Sequence, residues 1–125
     1  MSSKKTVAKT RIENKKRSSS ARAAISCVEL FCGVGGLTHG LIKGGIQVVA
    51  GIDVDPECRF PYERNNSGIF IERDVSGISG AELSEMFDSR KLRLLAGCAP
   101  CQPFSTYSRK GRQIRNDTKW DLVWD

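Results

Sequence analysis

The run Ile46–Ile52 constrains the fold of this chain more than any other segment, because it is apolar at nearly every position. Strands of this kind are covered on both faces, as in a parallel sheet flanked by helices. Three further runs predict strands: Ile25–Phe31, Ile69–Glu72 and Leu92–Ala96. The segments between the strands predict helices: Leu37–Lys43, a helix capped by Asp55 and Pro56 that ends at about Arg64, and Ala81–Phe87. This alternation predicts an α/β fold with right-handed crossovers, the first half of a doubly wound parallel sheet.

Positive charge is concentrated at the amino terminus. Residues 1–24 hold eight Lys or Arg and one Glu, whereas residues 25–125 hold twelve Lys or Arg and thirteen Asp or Glu. A segment so charged and so poor in apolar residues is expected to be disordered. It acts either as a solvated tail or as an arm that contacts DNA phosphates. The sequence therefore predicts a basic arm over residues 1–24 and a folded part over residues 25–125.

The cysteine count and the lack of long apolar runs indicate the cell compartment. No apolar run approaches the length of a membrane span, and the amino terminus lacks the apolar block of a signal peptide. Five cysteines, an odd number, argue against a closed disulfide framework. We therefore expect a cytoplasmic protein with reduced thiols and no membrane partner.

The ends of the first three predicted strands carry residues suited to a cofactor. A glycine-rich turn follows the first strand, with glycines at 33, 35 and 36, while Asp53 and Asp74 end the next two. The dinucleotide fingerprint would need a third glycine at position 38, which is Thr, so no pyrophosphate is expected here. Plain turn and helix-capping roles are the alternative for each residue alone. Together, the three strand ends favour a cofactor of the adenosine type.

Cys101 lies just past the fourth predicted strand, in a turn stiffened by Pro100 and Pro103. Open α/β sheets place their chemistry at this end of the strands, so Cys101 is a candidate nucleophile. It is alternatively a core cysteine, or half of a metal or redox pair with Cys98. Zinc would need further Cys or His ligands, and His39 is the only histidine, so we expect no metal.

Four segments together resemble the first four motifs of the DNA cytosine-C5 methyltransferases, in the order and approximate spacing of that family. They are Glu29-Leu30-Phe31-Cys32-Gly33-Val34-Gly35-Gly36-Leu37, Asp53-Val54-Asp55, Arg73-Asp74-Val75 and Ala99-Pro100-Cys101-Gln102-Pro103-Phe104-Ser105. The resemblance implies a Rossmann-like methyltransferase fold and S-adenosylmethionine as the methyl donor. The residues it implies at the cofactor are Phe31, Gly33, Val34, Gly35, Gly36, Asp53, Val54, Asp74, Val75 and Pro100.

The same resemblance implies a covalent mechanism on double-stranded DNA. The Cys101 thiolate would add to C6 of a cytosine flipped out of the helix, which activates C5 for methylation. Residues expected at the nucleic acid are Gln102, Ser105, Arg109 and Arg112, the last two in a basic loop over residues 109–115. The alternative is that the loop is a stretch of charged residues that is exposed to solvent and binds nothing. A restriction–modification role, with nucleoid association in a bacterium, fits the family.

Several parts that the family uses are not found in these 125 residues. The family carries a glutamate in a Glu-Asn-Val segment, a later arginine motif, a target recognition region and a C-terminal helix, none of which occurs here. We therefore expect residues 25–125 to be a partial catalytic domain that works with a missing C-terminal half or a second chain. The alternatives are a non-catalytic remnant that binds cofactor or partner, and an RNA cytosine-C5 methyltransferase.

Overall fold

The computed structural model describes residues 6–12 and 24–101 of the chain. Within them, four strands alternate with helices. The strands are β1 (Ile25–Leu30), β2 (Gln47–Asp53), β3 (Ile69–Glu72) and β4 (Leu92–Gly97). The helices are α1 (residues 6–12), α2 (Gly36–Lys43), α3 (Arg59–Asn65) and α4 (Gly80–Met86), with single 3₁₀ turns at Pro56–Cys58 and Val75–Gly77.

The strands form one parallel sheet in the order β3-β2-β1-β4. β1 lies between β2 and β4, with Leu30 opposite Ile52 on one side and Gly97 on the other. The chain thus builds outward from β1 to β3 and then crosses back to place β4 on the free side of β1. This arrangement confirms the predicted α/β fold, the first half of a Rossmann-like parallel sheet.

Two apolar clusters cover the sheet. The larger one joins strand residues such as Val28 and Ile52 to Leu83, Met86 and Phe87. The smaller one joins Cys32, Tyr62 and Phe70, with Cys58 packed against it. The burial of β2 on both faces, where six of its seven residues are buried, explains its almost unbroken apolar sequence.

Helix capping follows the sequence signals. The Asp55 carboxylate accepts a hydrogen bond from the Glu57 backbone N–H at 2.9 Å, and Pro56 begins the turn that leads into α3. At α4, Ser79 and Glu82 form a capping box. These local signals end each strand and turn the chain back along the sheet.

The amino-terminal arm departs from expectation over residues 6–12, which form α1. Ile12 is only 4% exposed and belongs to the larger core cluster. Arg11 is paired with Glu63 of α3 at 3.0 Å, and Lys9 with Glu85 of α4 at 3.5 Å. Residues 6–12 of the arm expected to be disordered are therefore helical in the structure, where one buried isoleucine and two ion pairs hold them to the folded part, while the division of the chain at residue 24 stays a prediction. Residues 1–5 and 13–23 lie outside the described part.

Among residues 6–12 and 24–101, no helix has the length and apolar character needed to cross a membrane.

Candidate active site

The carboxyl ends of all four strands lie at one edge of the sheet, because every pairing is parallel. The strand order reverses at β1, because β2 and β3 lie on one side of it and β4 lies on the other. Open α/β sheets bind ligands in the crevice at such a reversal, here between the carboxyl ends of β1 and β4. Asp53 ends β2, while the glycine loop, Asp74 and Cys101 follow β1, β3 and β4. The structure therefore brings the first three predicted motifs, and the fourth as far as Cys101, to a single edge.

The glycine loop after β1 is built from unusual backbone conformations. Phe31 has φ +55°, Gly33 has φ +51° and Gly35 has φ +89°. A positive φ at a non-glycine residue stores strain, and such residues cluster at functional sites. The loop is tied to β2 by a hydrogen bond from the Cys32 backbone N–H to the Ile52 carbonyl at 3.1 Å.

Asp53 links the first two strand ends. One carboxylate oxygen accepts a hydrogen bond from the Gly33 backbone N–H at 2.8 Å, and the other accepts one from the Asp55 backbone N–H at 3.0 Å. Each carboxylate oxygen can accept a second hydrogen bond. Asp53 can therefore hold the glycine loop in place and still accept from a ligand hydroxyl.

Asp74 caps the 3₁₀ turn Val75–Gly77, and its side chain is exposed to solvent. Its carboxylate accepts hydrogen bonds from the backbone N–H and the hydroxyl of Ser76, at 3.0 and 2.8 Å. These bonds, the side-chain one first, hold the pKa of Asp74 below its usual range. The side chain of Asp74 is exposed, and Val75 beside it is half-buried. The carboxylate stays ionised and accessible to a ligand amino group.

Cys101 is exposed at the last described position, and Pro100 before it is half-buried. The predicted nucleic-acid residues Gln102, Ser105, Arg109 and Arg112 lie outside the described residues. Cys98 is also a free, exposed thiol. No group of three or more His, Cys, Asp or Glu suited to a metal ion occurs among the residues that the structure covers.

The other cysteines have a different environment. Burial, followed by the nearby charge of Glu29, raises the pKa of Cys27 to about 11. Burial likewise raises the pKa of Cys32 far above its ordinary value. A thiol held neutral is a poor nucleophile. Cys27 and Cys32 therefore have a packing role, whereas Cys98 and Cys101 are both exposed free thiols.

Sequence reasoning missed a buried polar group beneath the glycine loop. Glu29 of β1 is 2% exposed, and its carboxylate accepts hydrogen bonds from the backbone N–H and hydroxyl of Thr38. Burial raises the pKa of Glu29, and the Thr38 bonds partly oppose this. The available signal was an acidic residue inside an apolar strand, followed by a helix whose N-cap is Gly35, which has no side chain to cap it.

Comparison with known proteins identifies relatives over the same region. The family model described as C-5 cytosine-specific DNA methylase matches residues 25–125. The chain is 51% identical over 96 residues to the Type II methylase M.HgiDII of Herpetosiphon aurantiacus, covering 77% of this chain and 26% of the relative. It is 30% identical over 99 residues to the Type II methyltransferase M.XorII of Xanthomonas oryzae pv. oryzae, covering 77% of this chain and 23% of that protein.

A relative whose name gives tRNA as its substrate also matches. The tRNA (cytosine(38)-C(5))-methyltransferase of Homo sapiens is 34% identical over 87 residues, covering 67% of this chain and 21% of the human protein. The chain thus covers only 21–26% of the length of these three relatives.

Proposed function

The chain belongs to the C-5 cytosine-specific DNA methylase family, and from that premise we propose that it carries the methyl-donor pocket and nucleophile of a DNA cytosine-C5 methyltransferase. The observation that carries the proposal is the gathering of three family motifs, and of the fourth as far as Cys101, at one sheet edge. The Type II names of its relatives support DNA as substrate and a restriction–modification role. That role implies a cytoplasmic location, on the nucleoid of a bacterial cell.

S-adenosylmethionine fits the residues at this edge. A Cβ placed on Gly33 or Gly36 would meet nothing within 4 Å, so the loop backbone is open to close approach by a ligand. Val34 and Val54 are 58% and 66% exposed, which leaves apolar surface for an adenine or a methionine chain. Asp53 retains acceptor capacity for ribose hydroxyls.

Each strand end would hold a different part of the methyl donor. Phe31 would stack on the adenine, Gly33–Gly36 would hold the methionine part, and Asp53 would accept hydrogen bonds from the ribose. Val54 and Pro100 would flank the ligand, and Asp74 with Val75 would bind the adenine amino group. When bound, S-adenosylmethionine supplies an electrophilic methyl group.

Cys101 would perform the covalent step. Its thiolate would add to C6 of a flipped cytosine, so that the C5–C6 electron pair can form the new bond from C5 to the methyl carbon as the methyl–sulfur bond of the donor breaks and the donor leaves as a neutral thioether. Loss of the C5 proton to a base would then re-form the C5–C6 double bond while the bond between C6 and the Cys101 sulfur breaks, returning the thiolate. Exposure of Cys101 leaves its sulfur accessible to the base.

The remaining groups come from outside the described residues. Gln102, Ser105, Arg109 and Arg112 are proposed to contact the flipped base and the DNA phosphates. The glutamate that assists attack in the family is absent from these 125 residues. We propose that it is supplied by the C-terminal remainder of the protein or by a second chain.

A mechanism-based trap tests the proposal. The chain is combined with the C-terminal remainder of M.HgiDII, its 51% identical relative, and with S-adenosylmethionine. The substrate is a duplex library in which 5-fluorocytosine replaces cytosine, because fluorine at C5 blocks the final elimination and preserves the adduct. We expect a covalent protein–DNA species that is lost in Cys101→Ala and retained in Cys98→Ala.

The controls separate the competing functions. Absence of any Cys101-dependent adduct, with S-adenosylmethionine binding intact by calorimetry, would leave the non-catalytic remnant as the function. The identity to a tRNA methyltransferase favours RNA as the second candidate substrate. Preferential methylation of tRNA over duplex DNA in a competition assay would select that candidate.

A further inference from the structure

Three glycines from separate segments converge on the side chain of Tyr62. A Cβ at Gly35 would lie 2.7 Å from the ring, and one at Gly51 or Gly68 would lie 2.5 or 2.7 Å from the hydroxyl oxygen. Tyr62 is fully buried. The ring therefore lies directly under the glycine loop, at a distance that no side chain at position 35 would permit.

The Tyr62 hydroxyl continues into a buried hydrogen-bond chain. Thr38 Oγ1 is 3.1 Å from the Tyr62 hydroxyl oxygen and is also hydrogen-bonded to Glu29. Thr38 is fully buried on the first turn of α2. Buried polar groups connected in this way fix one geometry, because breaking any bond leaves an unsatisfied partner.

The hydrogen-bond chain through Glu29, Thr38 and Tyr62 supports the glycine loop from the side opposite to the exposed backbone of Gly33 and Gly36. Gly35 rests on Tyr62, and the first turn of α2 is fastened to β1 through Thr38 and Glu29. Asn66 supports the same point, because its Nδ2 donates to the Tyr62 carbonyl at 3.1 Å and would lie 2.4 Å from a Cβ on Gly35. Its Oδ1 is buried without a hydrogen-bond partner among the described residues.

We propose that Thr38 and Tyr62 are positioning residues for the methyl donor, and that the Glu29–Thr38–Tyr62 chain sets the loop backbone where it meets the methionine part. The inference rests on the proposed function and assigns a role to two side chains that do not touch the ligand themselves. It also explains why threonine, rather than a third fingerprint glycine, occupies position 38. A hydroxyl at that position can reach both β1 and α3.

Binding of two ligands to the 125-residue chain tests the role. Thr38→Val preserves the shape of the side chain and removes the hydroxyl, so we expect affinity for S-adenosylmethionine to fall about tenfold. Affinity for adenosine, measured by displacement, should stay within about twofold, because Asp53 and Asp74 are on other strand ends. Thr38→Ser keeps the hydroxyl and should restore binding, and His39→Ala on the exposed face of α2 should have no effect.

The outcomes distinguish this inference from the proposed function. If the wild-type chain does not bind S-adenosylmethionine, both are rejected. If it binds but Thr38→Val binds equally well, or loses adenosine to the same degree, only the positioning role is rejected. If Thr38→Val does not fold, Tyr62→Phe removes the Thr38–Tyr62 hydrogen bond while keeping the ring and the Thr38–Glu29 bond, and the same selective loss of S-adenosylmethionine affinity is required of it.

Discussion

The side chain of Asp88 stabilises the sheet at the end opposite to the candidate site. Asp88 is 3% exposed, and its backbone N–H donates to the Ser26 hydroxyl at 3.1 Å. Its carboxylate accepts two hydrogen bonds from the Arg90 guanidinium, at 3.0 and 3.1 Å. The hydrogen bond from Arg90 lowers the pKa of Asp88 from 3.8 to about 2, against an opposing effect of burial. The hydrogen bond between Asp88 and Ser26 thus joins the turn before β4 to the start of β1.

The shift in Asp88 predicts a pH dependence of stability. Because the folded pKa lies below the unfolded one, the stabilisation is fully present above about pH 4 and is lost as pH falls toward about 2. We expect Asp88→Asn to lower the free energy of unfolding by about 1 kcal/mol at neutral pH, since the exposed Arg90 is screened by solvent. Urea denaturation at several pH values measures this. Wild-type and variant curves that stay parallel from pH 6 to pH 2 would contradict the assignment.

At the scale of elements, α1 shows how a few tertiary contacts order a segment of low hydrophobicity. Its residues bridge α3 and α4 through two ion pairs, but exposed pairs of this kind contribute little. The burial of Ile12 is the larger effect. We infer that α1 is held to the body chiefly by one apolar side chain.

Truncation of Ile12 measures that contribution. We expect Ile12→Ala to lower the free energy of unfolding by about 2–4 kcal/mol, because it removes a buried isoleucine side chain from the core. Val7→Ala, in the same helix but 56% exposed, should change it by less than about 0.5 kcal/mol. Equal effects of the two variants in chemical denaturation would show that α1 is not docked on the core.

The sequence predicted most elements to within a residue or two, because their signals are local. β3 has its predicted limits, and α2 begins at Gly36 rather than Leu37. α1 could not be predicted, because the burial of Ile12 depends on residues far along the chain. The same limit applies within the site. The glycine loop, Asp53, Asp74 and Cys101 were predicted from their places at strand ends and the other cofactor residues from the family resemblance, whereas the contacts of Glu29, Thr38 and Tyr62 join different elements and leave no local signal.

At the scale of the whole molecule, β4 is the exposed side of the sheet. Within the described residues it pairs with β1 alone, and its Leu92 and Leu95 are 72% and 49% exposed. An apolar edge strand with unpaired backbone groups is prone to association with other chains. Of the two edge strands of the described sheet, β3 and β4, it is therefore β4 that exposes large apolar side chains.

A charge on this edge tests its effect on association. We expect the 125-residue chain to form oligomers through β4, and Leu92→Lys to raise the monomer fraction severalfold, because a lysine on an edge strand opposes pairing. Size-exclusion chromatography with light scattering measures the change. Phe60→Lys, at a residue of α3 that is 77% exposed, is the matched control. An equal gain from Phe60→Lys would point to general solubility instead of the β4 edge.

The placement of β4 beside β1 also sets the order in which a growing chain can fold. β1, β2 and β3 are synthesised first, but the second side of β1 stays open until its partners in β4 arrive, which lie 67 positions later, since Ser26 pairs with Arg93 (93 − 26 = 67). At about 5–20 residues per second, this wait lasts about 3–13 seconds. Pairing at such separation is also the slowest kind to form. Of the described strands, β4 therefore pairs last, so a nascent chain forms the glycine loop after β1 before it places Cys101, the proposed nucleophile, at the same edge of the sheet.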